Sequence, residues 1–463
     1  MGLTLNISKC ELICHPQLHL RSSMLGSFAK LSLSESSLLG APLFPGKALD
    51  DVWTHCINNL TTAIDRLSHI QSHDALILLR ACFSSTKVMH LLRCSPCADH
   101  PALNEFDNLL RFGTTRITNS SLTNRQWLQA SLPIKDGGLG IRRAVSLAFP
   151  AFLASAASTR ALQDTIFGQL SVAEDPFVTE YVARWSSMLS VPTPPAPAAF
   201  KQSAWDRPGI NADWALVRSS ADNSLDLARL NAVSAPHSGD WLLALPIAAC
   251  GLRLDNEAVR VAVGLRLGVD LCTPHQCSCG STVDAKGVHA LSCRKGASRL
   301  ARHQALNEIL WRGMASAGVP ATKEPVGLSR DDGKRPDGTT LIPWHDGKNL
   351  AWDVTVINTV ADSYIGLSAQ QPCGAAENAA ERKNLKYSSL PSTLLFQPVA
   401  FETLGPLNSS AVEFITELGR RISFSSSEPR EITFLFQRLS TVIQRFDALC
   451  LKESFASTTW QSD

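Results

Sequence analysis

The chain has 463 residues, 44% of them hydrophobic and 18% charged, and its net charge is +2. That length suits roughly two to four domains with cores of their own, and the composition argues against wholesale disorder. A near-neutral balance excludes a polycation, so any nucleic-acid surface must be local.

Residues 1–45 read as short strands and turns. The opening "MGLTLNISKCELI" has Lys9, Glu11 and no apolar core, so no secretory signal is expected there. The chain carries 13 cysteines, an odd and scattered set. A reducing compartment, nuclear or cytoplasmic, is expected, and clustered cysteines there read as metal ligands before disulfides. Residues 50–160 read as helices. From Asp50 as N-cap, Val52, Cys56, Ile57, Leu60, Ile64 and Leu67 make a helical stripe. "CSPC" at 94–97 reads as buried thiols at a turn. "LPIKDGGLGIRRA" is a glycine-rich break before a further helix through residue 162. Its apolar stretch "AVSLAFPAFLASAAS" is interrupted by serines and Pro150, too short and polar to span a bilayer. Proline-dense "SVPTPPAPAAF" at 190–200 reads as a linker.

Past residue 297 the pattern sharpens. Leu300, Leu306, Ile309, Leu310 and Met314 predict one helix face, stopped by Gly318 and Pro320. "GTTLIPW" and "NLAWDVTVIN" predict strands around an Asp346-Gly347 turn. A helix "GAAENAAERKNLKY", a strand "LLFQPVAFETLG" and a closing helix striped by Leu435, Leu439, Val442, Ile443 and Phe446 follow. Helix, hairpin, helix, strand, helix is an α/β order that builds a mixed sheet covered by helices.

Two clusters carry chemistry. Cys272, His275, Cys277, Cys279, His289 and Cys293 crowd a short segment, the density that a tetrahedral zinc site requires. The expected ligands are Cys277, Cys279, His289 and Cys293, with Cys272 the rival for first place. Four protein ligands make a structural site, without an open position. The second cluster is acidic: Glu324, Asp337 and Asp353. Along its strand Asp353 shares a face with Thr355, while Trp352, Val354 and Val356 share the other. Paired carboxylates at a strand rim suit Mg²⁺, and Lys383, Lys386 and Tyr387 lie on the next helix. A simple two-residue turn at Asp346-Gly347 pairs Asp353 with Thr340. That leaves Asp337 about 10 Å away along the strand unless a bend or bulge intervenes, for which Pro336 and Gly338 offer a place. The competing reading is a structural ion pair of Asp337 or Asp353 with Lys334 or Arg335. Arg294, Lys295, Arg299, Arg302, Lys334 and Arg335 are the expected phosphate contacts, whereas Arg438 and Arg445 read as a solvated helix face.

The series Arg335-Pro336-Asp337, then Trp352-Asp353-Val354-Thr355, behind a Cys/His cluster, resembles the restriction-like endonuclease at the C-terminus of site-specific non-LTR retrotransposon polyproteins, of the PD-(D/E)xK fold. The resemblance implies a magnesium site at Asp337 and Asp353, with Glu324 assisting. It implies a Cys-Cys-His-Cys zinc element upstream. Fifteen residues separate Asp337 from Asp353, slightly long for the family, and Thr355 stands where the usual lysine falls. The lysine is then recruited from the next helix, Lys383 or Lys386 with Tyr387. "GLTLNISKCELI" and "LLGAPL" resemble the last palm segments of a reverse transcriptase, which makes the following helices thumb-like. The Tyr-x-Asp-Asp box is absent, so no polymerase activity is expected from this chain alone.

The expected fold is mixed: a mainly α palm-and-thumb-like region at 1–165, a connector at 166–250, a zinc element at 251–296 and an α/β nuclease domain with a central mixed sheet at 297–463. The expected function is a Mg-dependent DNA endonuclease that nicks target DNA to supply a primer for reverse transcription. Its partners are then DNA, template RNA and a polymerase half carried elsewhere, with no membrane and no small-molecule substrate. The alternative is a catalytically inert, zinc-containing nucleic-acid-binding relic. A third reading, a cytosolic metalloenzyme of unrelated chemistry, requires an open zinc position.

Overall fold

The computed structural model describes residues 5–13, 25–168, 175–328 and 335–455. They fall into two compact units. The first is drawn from Met1–His69, Leu78–Thr114 and Ile141–Asp213, the second from Ile70–Ile77, Thr115–Gly140 and Trp214–Asp463.

The first unit is mainly helical, after two short strand pairs of the kind expected for residues 1–45: Glu11–Ile13 with Ala29–Leu31, and Ser37–Leu38 with Ala41–Pro42. Its helix Lys47–Leu67 starts after Gly46, whose φ of 132° no other residue adopts easily, so Asp50 lies inside the first turn and is not the cap. The buried face is Leu49, Trp53, Leu60, Ala63, Ile64 and Leu67; Val52, Cys56 and Ile57 are only half-buried. Of the two thiols expected to be buried, Cys97 is, which pushes it up to about 12, whereas Cys94 is exposed. Helix Ala144–Phe167 runs straight through Pro150. Its start is held by Asp107, whose carboxylate accepts from the amides of Ala144 (2.6 Å) and Val145 (3.2 Å). It is longer than the expected apolar stretch: by length and composition Ala144–Ile166 can cross a membrane, as can Ser72–Cys94. In the fold, however, Leu147, Ala148, Ala151 and Leu153 are buried. The proline-dense 190–200 segment does not link units. Ala199 packs with Trp185 and Trp205, and the Trp205 indole donates to the Ala199 carbonyl (2.8 Å).

In the second unit a mixed four-stranded sheet is built from β1 (Ala321–Lys323), β2 (Gly338–Thr340), β3 (Asn349–Ile357) and β4 (Leu394–Glu402), in spatial order β4-β3-β2-β1. β3 and β4 are parallel; the other pairs are antiparallel. Its helices are α1 (Ala297–Ser316), α2 (Gly374–Lys386), α3 (Ser409–Ser426) and α4 (Glu431–Ser454). On one face Trp352, Val354, Val399 and Phe401 pack against Leu306, Leu310 and Met314 of α1, Ile415 and Leu418 of α3, and Leu435, Leu439 and Ile443 of α4. On the other, Ile357 and Ala400 meet Ala375, Ala376, Ala379 and Ala380 of α2. Alanines on α2 let its backbone lie close to the strands, bringing its last-turn lysines within reach of β3. Leu300, expected in the α1 stripe, is exposed.

The hairpin departs from the simple register. A β-bridge at His345 and Lys348 does span the Asp346-Gly347 turn, with positive φ at both turn residues. Yet Gly338 pairs with Trp352 and Thr339 with Ala351. Five residues (340–344) separate Thr339 from His345, against two (349–350) between Ala351 and Lys348. The surplus lies around Leu341–Trp344 and slides β2 along β3; the Asp337 amide then donates to the carbonyl of Trp352, the residue that Gly338 also pairs with, so Asp337 sits at the β3 edge beside Asp353. Gly338 is obligatory in this register, because a Cβ there would overlap the Trp352 ring.

Candidate metal centre and acidic site

The Cys/His segment forms a small knuckle. Strands His275–Gln276 and Thr282–Val283 pair antiparallel. Between them the Gly280 amide returns to the Cys277 carbonyl (2.8 Å), with Gly280 at φ 92°. This turn brings Cys277 and Cys279 to one side. His289 opens and Cys293 closes the 3-10 turn Ala290–Ser292. The ligand atoms of Cys277, Cys279, His289 and Cys293 all lie within 4.8 Å of one another. The Cys277 and Cys293 sulfurs are 3.7 Å apart, and Cys279 Sγ is 3.1 Å from His289 Nε2. A tetrahedron with Zn–S bonds of about 2.3 Å has an edge of about 3.8 Å, so the donor set fits zinc. Hydrogen bonding from Ser281 lowers the Cys279 thiol to about 6, towards the thiolate that a metal takes, while burial raises Cys293.

Cys277, and not its rival Cys272, takes the first place in the quartet. The Cys272 thiol donates to the carbonyls of Asp284 and Ala285. His275 also stands apart: its ring stacks on Phe455 at 4.1 Å and its Nε2 meets Ser454 Oγ (2.9 Å). Among the described residues the quartet is the one group of three or more His, Cys, Asp or Glu side chains close enough to share a metal in this way.

The acidic site lies where β2 begins beside β3. The Asp337 amide donates to the Trp352 carbonyl (2.9 Å), and Asp337 Oδ2 accepts from the Val354 amide (2.6 Å). The carboxylate thus lies along the β3 edge, one residue past Asp353. His303 of α1 points its Nε2 at Asp337 Oδ2 (3.0 Å) and at the Val354 carbonyl (3.1 Å). Hydrogen bonding to Asp337 raises the His303 pKa above its ordinary value, against the opposing effect of burial; the Asp353 charge adds to the rise. Asn307, one turn along α1, fixes the frame by accepting from the Trp352 indole (2.8 Å) and donating to the Asp337 carbonyl (3.3 Å).

Asp353 is only 3% exposed, and α2 supplies its partners. Lys383 forms an ion pair with Oδ2, and the Tyr387 hydroxyl donates to Oδ1 (2.8 Å). Lys386 donates to that hydroxyl (2.8 Å) and does not contact the acid in the way Lys383 does. Of the two candidate lysines, Lys383 is therefore the one on Asp353. Among the described residues neither acid is held by an arginine: Arg335 pairs with Glu324, whose exposed carboxylate is thereby turned to that partner and joins no cluster with Asp337 and Asp353. The site presents two acids, a lysine and a histidine partner, and a backbone carbonyl. Two oxygens, Asp337 Oδ2 and Val354 O, converge on one N–H position. Both are oxygens of the kind a hard divalent ion takes, and both are engaged by His303 Nε2.

Sequence reasoning did not single out His303 or Asn307. A helical spacing of four was available, but nothing in the sequence assigns that helix face to the hairpin. The expected phosphate contacts divide. Arg294, Lys295 and Arg299 are exposed. Arg302 is 1% exposed and paired with Asp447, so it is not a phosphate contact. Arg438 pairs with Glu431, and Arg445 donates to the carbonyls of Gly251 and Arg253, so neither is simply solvated. Lys334 lies outside the described residues. No protein-family model matches the chain, and no curated protein matches it.

Proposed function

We propose that the second unit is a divalent-metal-dependent DNA endonuclease of the restriction-like type, descended from a non-LTR retroelement, that nicks DNA to expose a priming end. One observation carries this reading: the bulged hairpin ties Asp337 to Trp352 and Val354 on either side of Asp353, on which Lys383 closes from the following helix. Asp337, Asp353 and the Val354 carbonyl would hold magnesium, which when bound supplies Lewis acidity at the phosphate and lowers the pKa of a water.

The protein's own groups do the rest. Lys383 contributes positive charge where the pentacovalent phosphate becomes more anionic. Tyr387 keeps Asp353 oriented. His303 Nε2 holds Asp337 Oδ2 in place (3.0 Å). Arg294, Lys295, Arg299 and Arg335 offer phosphate contacts that position the strand without reading its sequence. The Cys277, Cys279, His289 and Cys293 centre is structural, which disfavours an unrelated zinc enzyme with an open position.

Nicking of supercoiled plasmid with Mg²⁺ or Mn²⁺ tests the reading. Asp337→Ala and Asp353→Ala should each abolish nicking, and Lys383→Ala should lower it by about 10²- to 10³-fold. Undiminished cleavage by the doubly substituted protein would remove these acids from any catalytic role. The inert nucleic-acid-binding relic has its own support: each acid already has a side-chain partner, Asp353 the Lys383 ammonium and Asp337 the His303 ring. Its mark is salt-sensitive DNA or RNA binding without cleavage under either metal.

A further inference from the structure

A cleft of about 490 Å³ opens at the start of β3 and β4, lined by Trp344, His345, Phe396, Gln397, Arg420 and Arg421, with Leu350 and Leu395 beneath. Trp344 is there because the hairpin bulge puts it there. The Arg421 guanidinium stacks on the Trp344 ring at 3.7 Å and donates to the Trp344 carbonyl (2.8 Å). Arg421 is thereby held as a flat, charged plate. Arg420 is exposed beside it, and the two arginines face the single carboxylate of Glu417, so the wall keeps a positive surplus. Phe396 joins the cleft to the acidic site: its ring lies 4.6 Å from that of Tyr387, whose hydroxyl is bonded to Asp353. Phe396 is in register with Ala351, two residues before Asp353, or about 7 Å of strand.

We infer that this cleft receives an unpaired nucleotide of the DNA strand cut at Asp337 and Asp353, so that DNA with a single-stranded gap or flap beside the scissile bond is preferred over an intact duplex. The inference rests on the nuclease reading above and names its substrate. Flat π surfaces and guanidinium planes accept any base that leaves its stack, and arginines beside them take the flanking phosphate. Duplex DNA keeps its bases stacked and paired, so it fills such a cleft only after paying for unstacking. An acidic or aliphatic peptide fits the chemistry less well, because the polar groups here surround a stacking surface and not a deep apolar slot.

The test is binding, measured by fluorescence anisotropy in EDTA so that no cleavage is involved. The full chain is titrated with a labelled blunt duplex and with the same duplex carrying a three-nucleotide gap. Wild type should bind the gapped DNA about tenfold more tightly. Trp344→Ala should erase that preference while leaving blunt-duplex affinity unchanged, and Trp344→Phe should keep most of it. Should Trp344→Ala fail to fold, Arg420→Ala, at an exposed position, carries the same comparison. Equal wild-type affinity for both DNAs, or an unchanged preference in Trp344→Ala or Arg420→Ala, overturns the assignment. Failure of the nuclease reading shows separately, as absence of nicking by a protein that still prefers the gapped DNA.

Discussion

Arg302 illustrates what a single position hides. Helical spacing puts it three residues from Arg299, as if both faced one phosphate track, yet Arg302 is buried against Asp447 and donates to the Leu291 carbonyl (3.1 Å). Its Nε and Asp447 Oδ2 lack hydrogen-bond partners. A buried pair of this kind is weak net stabilisation while intact and costly when halved. Asp447→Ala should therefore destabilise the second unit by about 3–5 kcal/mol. Asp447→Asn should cost less, since an amide oxygen can still accept from Arg302; urea unfolding with equal loss in both would contradict the buried-charge account. His303 supplies a pH signature. Its pKa is raised by Asp337, so the pair's stabilisation is full below the ordinary histidine value of about 6.5 and is lost as pH rises through the higher folded-state value. The stability gap between wild type and Asp337→Asn should thus be widest near pH 6 and shrink by pH 8.5. A gap that grew with pH would mean that His303 is not the charged partner.

At the scale of elements, amphipathic periodicity was legible and register was not. The α4 stripe is buried at Leu435, Leu439, Val442 and Ile443, with Phe446 packed beside it, as its spacing of three and four requires. The alternation in β3 likewise separates Trp352 and Val354 from Asp353. Three things escaped. β1 has three residues, too few to show a period, and α3 sits in a serine-rich segment whose apolar positions, Phe414, Ile415, Leu418 and Ile422, were passed over. The third is the bulge, because the Asp346-Gly347 turn is genuine and gives no sign of surplus residues behind it. Gly338 was the available clue: a glycine inside a strand marks a close approach, here by the Trp352 ring. Gly338→Ala must push the indole off Asn307 or push β2 off β3. Either change should cost about 1–3 kcal/mol and displace Asp337. Denaturant unfolding and divalent-metal titration of the variant check this together, with weakened Mn²⁺ binding expected alongside the lost stability. Unchanged stability would mean that the hairpin can repack freely.

At the scale of the whole molecule, the quartet Cys277, Cys279, His289 and Cys293 was legible because metal ligands must cluster by type, whereas its attachment to the rest of the second unit was not. The knuckle is sewn to elements more than 60 residues away in sequence: Asn358 donates to the Val288 carbonyl (2.9 Å), His275 meets Ser454, and Arg302 bridges Leu291 to Asp447. Glu453 also accepts from the amide and hydroxyl of Ser298, at the start of α1 (3.0 and 2.6 Å). Binding energy at such a centre is folding energy, because the ligands are gathered only in the folded state. Removing metal with a strong chelator should therefore loosen more than the knuckle. Hydrogen exchange should accelerate across residues 275–293, at the start of α1 and in the last two turns of α4, while the Ala144–Phe167 helix of the first unit keeps its protection. Cys293→Ser should reproduce the pattern without chelator, and added zinc should fail to reverse it. Exchange confined to residues 275–293 would show that the tethers to α1 and α4 carry no stability, and that the centre folds as an appendage.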